Sequence, residues 1–182
     1  VNPLAIIALA PIFSVLWGWL NKRNLEPPSP RKMAWGLALL CLGYVVIAIA
    51  VKGVDSSTKV SLWWLMALYI LHTMGELCLS PIGLSMVSKL SPLRFSSLLM
   101  GTWFLANAAA NKLAGTLSAL IPPGAGEHAA AASGPVDYPT ILGYNITNLY
   151  EFFMVFIIMT GVAAAILFLL SGTLIRMMRG IR

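Results

Sequence analysis

Charge is what this chain has least of. Lys, Arg, Asp and Glu make up 10% of its 182 residues, six of them acidic, while apolar residues make up 59% and the mean hydropathy is +0.85. That balance excludes a soluble domain. Cysteine is nearly absent: Cys41 and Cys78 lie in separate apolar blocks with no CxxC spacing and no histidine beside them, and read as packing residues, neither disulfide nor metal ligands. No H-E-x-x-H, no glycine-rich phosphate loop and no nucleophile–base pair occurs, so nothing points to an enzyme, a metal or a cofactor. Within these residues no basic segment precedes the first apolar block, and Lys22 and Arg23 come after it, so that block is expected to be a crossing and not a signal peptide. The net charge of +6 does not indicate nucleic acid, because the cations sit in short clusters between apolar blocks. Such clustering is the topology signal of a membrane protein.

What the chain does have is apolar blocks long enough to span roughly 30 Å of hydrocarbon. Five crossings are expected, at about 3–20, 33–51, 60–88, 96–120 and 149–175, making an all-α membrane protein of residues 1–182 with a loop at 121–147. Pro11 marks a possible kink in the first crossing, and three prolines in the loop after it stop any helix running through. The third block is longer than a span requires, so tilt or a break is expected near Ser80-Pro81-Ile82-Gly83. Asn148 with Glu151 three residues on reads as the start of the fifth helix, an acceptor at its cap and a carboxylate at its positive end. The chain begins at Val1 one residue before a crossing, without Met, and reads as a piece of a longer protein.

Cation counts give the orientation. Lys22, Arg23, Arg31, Lys32, Lys89, Arg94, Arg176, Arg179 and Arg182 fall on one side, against Lys52 and Lys59 on the other. The C-terminus is therefore expected in the cytoplasm, with Val1 and the 121–147 loop outside, in a multi-pass protein of the cell (inner) membrane. Asn145-Ile146-Thr147 is a formal glycosylation sequon, a match too short to carry weight.

The chemistry gathers between His72 and Gly115. Glu76 stands in the middle of a spanning block, where a charge costs on the order of 2.5–3.5 kcal/mol on insertion scales and marks a functional site by default. At helical spacing Tyr69, Thr73, Glu76 and Ser80 form one polar stripe, and Trp103, Asn107 and Asn111 form another on the next crossing. Joined by a short basic turn, the stripes are expected to face one cavity. A carboxyl isolated in hydrocarbon keeps its proton and a cation beside it draws the proton off, so an entering ammonium group would switch Glu76. Asn107 would hydrogen-bond amide groups and Trp103 would supply a flat wall. His72, one turn from Glu76, reads first as a packing residue and second as a proton relay. Lys112 reads as a snorkelling cation.

At these residues the chain resembles the proton-coupled oligopeptide transporters, the POT/PTR branch of the major facilitator superfamily. The resemblance rests on Asn2-Pro3, on GELxxSPxGLSxVxKLxP from Gly75 to Pro92, and on MGTWFLxxAxxNxLAG from Met100 to Gly115. It implies helices eight to twelve of a twelve-helix transporter, a partial C-terminal six-helix bundle, driving uptake of di- and tripeptides with protons by alternating access. In that family the acid at Glu76, with Asn2, holds the peptide's amino end, and Ser80, Trp103 and Asn107 line the cavity. Asn107 stands where relatives often carry serine. Leu84 and Met100 fall where the family packs its cytoplasmic gate. The family's first-helix ExxER motif, fourth-helix lysine and seventh-helix acid are absent from these residues, so at least seven further helices are expected upstream as partners, besides the bilayer, the peptide and protons. Two alternatives remain open at this point. One is a relative carrying another small solute; the other is a non-transporting membrane protein that docks partner helices through its Gly/Ala faces.

Overall fold

The computed structural model describes residues 2–53, 60–122, 140–141 and 144–178. Most of the loop at 121–147, together with Val1, Lys59, Arg179 and Arg182, lies outside the described residues. The chain forms α1 (Asn2–Lys22), α2 (Ser29–Val51), α3 (Leu62–Leu90), a 3-10 turn at Leu93–Phe95, α4 (Ser96–Ser118) and α5 (Leu149–Met177). Two short antiparallel strands, β1 (Thr140–Ile141) and β2 (Tyr144–Asn145), precede α5, a small hairpin that apolar periodicity gave no reason to expect.

Local chemistry sets the helix ends. α1 closes in a Schellman motif: Asn24 takes the left-handed conformation at φ 56°, its N–H donates to the Asn21 carbonyl, and the Leu25 N–H donates to the Leu20 carbonyl. Pro30 sits in the first turn of α2, where a missing N–H costs nothing. At the start of α5 the Asn148 side chain accepts from the Glu151 N–H at 3.0 Å, and the Glu151 carboxylate accepts from the Thr147 N–H at 2.7 Å. α3 does not break at Pro81. It is continuous for 29 residues, about 43 Å. Loss of one intrahelical bond is tolerated where neighbouring groups can take up the freed carbonyl.

α2 packs along α3 on one side and α5 on the other, while α1 and α4 each meet α3. Apolar burial gives little drive for helix association in lipid, so close approach of backbones has to supply the contact. The α2–α3 crossing is built that way. A Cβ placed on Gly75 would stand 2.8 Å from the Gly36 carbonyl oxygen, and one on Gly36 would stand 2.9 Å from the Gly75 carbonyl oxygen. One heptad along α2, Gly43 leaves the hole that the His72 ring fills; a Cβ added there would stand 2.6 Å from His72 Cδ2. On the other side, Tyr44 stacks on Phe156 at 5.2 Å, and Phe156 meets Phe152 edge-on at 5.0 Å.

α1, α2, α3 and α5 are long and apolar enough to cross a membrane. α4 has the length but falls outside that set, because Thr102, Asn107, Asn111, Lys112 and Thr116 dilute its apolar residues. Large apolar side chains face outward throughout, Leu169 at 80% and Leu4 at 73% exposed, an arrangement suited to hydrocarbon and a liability in water.

These contacts predict an asymmetric glycine series. Gly75→Ala should destabilise the detergent-solubilised protein by about 1–3 kcal/mol, the usual cost of overpacking, whereas Gly18→Ala, which meets nothing within 4 Å, should be neutral or slightly stabilising. Thermal unfolding of the two variants side by side checks this.

Candidate functional site

Gly75 faces α2, so the next residue, Glu76, is turned about 100° away from that contact and onto an open face of α3. α1 stands beside that face. Asn2, at the first turn of α1, places its side chain against α3 and links two of its turns. Its Nδ2 donates to Glu76 Oε2 at 3.4 Å, and its Oδ1 accepts from Thr73 Oγ1 at 2.7 Å. Thr73 is completely buried. Its single hydroxyl proton is shared between Asn2 Oδ1 and the Tyr69 carbonyl, also at 2.7 Å. Thr73 thus fixes the orientation of the Asn2 amide, which leaves the NH₂ end pointing at the carboxylate. The contact to Glu76 is long for a hydrogen bond. A carboxylate offers about four acceptor positions, so most of its capacity is open to an incoming donor.

The second stripe is assembled differently. Trp103 lies against Gly83, two turns along α3 from Glu76 and on the same face: a Cβ on Gly83 would fall 2.3 Å from Trp103 Cη2. Beyond the indole, towards the basic turn, Met86, Val87, Leu90, Leu99 and Thr102 line an apolar cleft of about 410 Å³. Among the described elements α4 packs only on α3 and on the 3-10 turn. The rest of its surface is exposed.

The site residues expected from sequence therefore divide. Asn2 and Glu76 are brought together through Thr73, and Trp103 sits over the same face of α3 at Gly83. Ser80 is exposed one turn from Glu76. Asn107 is exposed and donates back to the Trp103 carbonyl at 3.2 Å, a bond within its own helix. Leu84 is 37% exposed and Met100 half-buried, flanking the basic turn. His72 turns away from Glu76 towards α2, edge-on to Tyr44 at 4.6 Å, and its Nε2 has no hydrogen-bond partner among the described residues. That environment is packing against α2.

Sequence reasoning placed Thr73 on the polar stripe and missed its bond to Asn2. It also passed over Gly36, Gly43, Gly75 and Gly83, whose signal was available as glycines inside long apolar helices.

The model of the POT family matches residues 1–131. The chain is 31% identical over 176 residues to dipeptide and tripeptide permease A of Yersinia pestis, covering 97% of this chain and 32% of that protein. It is 41% identical over 119 residues to the peptide transporter YePEPT of Yersinia enterocolitica, covering 64% and 23%. Among solved structures, the peptide transporter POT in complex with sulfate superposes with a TM-score of 0.71 at 31% identity, over 94% of this chain and 30% of that one. A mutant of peptide transporter POT in complex with alafosfalin gives 0.72 at 32% identity, with the same coverage. The chain spans between 22% and 32% of the length of these curated relatives and of the uncharacterized transporter YclF of Bacillus subtilis.

The Gly83–indole contact predicts a coupled pair. Gly83→Ala alone should force the ring of Trp103 to move and destabilise the protein, while in a Trp103→Ala background the same substitution should be close to neutral. A double-mutant cycle in thermal unfolding reads the coupling, expected on the order of 1 kcal/mol or more. A second expectation concerns Thr73→Val, which leaves Asn2 Oδ1 without its donor and should cost about 1 kcal/mol in the same assay.

Proposed function

The chain belongs to the POT family of transporters, and from that premise we propose that it is the C-terminal part of a proton-coupled di-/tripeptide symporter that works by alternating access. Its share of the work is the wall that receives the peptide's amino end. The observation that carries this reading is the Asn2–Thr73–Glu76 cluster: a carboxylate at spanning depth, on an open face, with one long hydrogen bond and the rest of its acceptor capacity free.

The mechanism runs from that geometry. In the proposed cycle the Glu76 carboxylate carries either a proton or the peptide's ammonium group, and the arrival of one displaces the other. Asn2, its amide turned by Thr73, keeps the carboxylate on the cavity side in both states. The Trp103 indole, two turns away on the same face, supplies a flat apolar surface for the peptide's body. Ser80 and Asn107 contribute polar groups beside it, the latter by exchanging its bond to the Trp103 carbonyl for one to a peptide amide. Leu84 and Met100, next to the basic turn, close the cytoplasmic end. Here α4 completes the set of five crossings, its polar residues turned to a water-filled cavity where they carry no lipid penalty. The protein lies in the cell membrane with its C-terminus in the cytoplasm, as the distribution of its cations supports. Further helices of the same transporter supply the opposite wall.

The test is Glu76→Gln in the intact transporter. Losing the charge that meets the ammonium group should lower dipeptide affinity by at least about 30-fold, the lower range for breaking a desolvated charge pair, and uptake driven by a proton gradient should fall to background. Reconstituted vesicles with an imposed pH gradient give both readings. Undiminished proton-driven uptake would remove Glu76 from the coupling role.

A further inference from the structure

The end of α1, the turn that follows and the first residues of α2 carry four cations, Lys22, Arg23, Arg31 and Lys32, and one acid, Glu26. They are not equivalent. Lys32 is buried, forms an ion pair with Glu26, and lies over the Trp17 ring at 4.5 Å. The acid of this loop is thereby consumed internally, and the same contact ties the start of α2 to the last turns of α1. Three exposed cations remain with no acidic partner among the described residues: Lys22 and Arg23 at one end of the tie and Arg31 at the other.

The loop is held in a defined shape. The Schellman turn at Asn24 ends α1 sharply, and Pro27 and Pro28 carry the chain directly into α2. Two apolar groups are thrown outward among these cations. Trp19 is 48% exposed with the Arg23 guanidinium 4.0 Å above its ring, and Leu25, the residue after the turn, is 67% exposed. A guanidinium stacked on an indole keeps its donor edge free for a phosphate. An exposed leucine beside a tryptophan and three cations without a carboxylate suits the boundary between acyl chains and headgroups, where each component finds its own phase.

We propose that this turn is a binding site for the phosphate headgroup of an anionic phospholipid, with Lys22, Arg23 and Arg31 as its cationic contacts and Leu25 and Trp19 inserted beside the acyl chains. The proposal rests on the membrane placement of the chain and not on its substrate. Free phosphate shares the headgroup chemistry but gains nothing from Leu25 and Trp19, which is why a lipid is the occupant the geometry favours.

The experiment uses the full-length transporter in mixed micelles containing phosphatidylglycerol or phosphatidylcholine of identical acyl chains, with retained lipid counted by native mass spectrometry. Phosphatidylglycerol should be retained in preference to phosphatidylcholine. The triple substitution Lys22→Gln, Arg23→Gln, Arg31→Gln should weaken that retention by about fivefold per cation removed, on the order of a hundredfold in all. If the triple variant does not fold, Arg31→Gln alone carries the same test at about fivefold. Inorganic phosphate and glycerol 3-phosphate at matched concentration should not displace the lipid; displacement would make this a free-phosphate site and overturn the assignment. Equal retention of the two lipids, or no loss in the variants, would overturn it too. Lipid retention is read without transport, and Glu76→Gln should retain phosphatidylglycerol as the parent does, so failure here is separable from failure of the peptide reading.

Discussion

The backbone contact between Gly36 and Gly75 governs the rest of this structure. Two helices in hydrocarbon have little to gain from burying apolar side chains against each other, since the surrounding acyl chains are equally apolar. Association then depends on how closely backbones approach, and here each glycine carbonyl stands where the other's side chain would be. That contact also fixes rotation. With Gly75 against α2, its neighbour Glu76 is turned onto the face shared with α1, within reach of Asn2. The fully buried Thr73 hydroxyl then orients the amide that meets the carboxylate.

Four of the helices divide into two kinds by the same physics. α2, α3 and α5 are joined along their lengths by glycine notches and by the Tyr44–Phe156–Phe152 aromatic column, contacts that leave little freedom for sliding. α4 is held differently, by one indole seated on Gly83 and by the 3-10 turn, with an apolar cleft left between it and α3 beside the basic turn. A helix with so little of its surface covered, and with amides and a lysine on it, needs water or further protein around it. Those polar residues are the reason its hydropathy falls below that of its neighbours.

Much of this was legible from residue order. Blocks of apolar residues named the helices, because spanning length and the need to satisfy every backbone bond inside the segment leave no other structure. Asn148 and Glu151 announced the start of α5 by cap chemistry that acts within four residues. The length of the third block left two expectations, tilt or a break near Ser80-Pro81-Ile82-Gly83; the helix runs through Pro81 without a break, since one missing bond is a small loss in a segment packed along α2. The glycines were visible but mute. A glycine inside an apolar run says that a close approach is possible and not which helix makes it.

Sequence by itself determined the membrane class, the helices, the acid at spanning depth and the kinship of its motifs, because each depends on composition or spacing within a few turns. Only the tertiary structure decided which groups meet. Asn2 and Glu76 are 74 residues apart, and the rotation that brings an amide to a carboxylate is set where Gly75 of α3 meets Gly36 of a third helix, α2. The same holds for His72, which spacing put one turn from Glu76 and which the hole at Gly43 seats against α2 as the packing residue it first read as. Side-chain direction within a bundle follows from helix rotation, and rotation is a property of the packed whole.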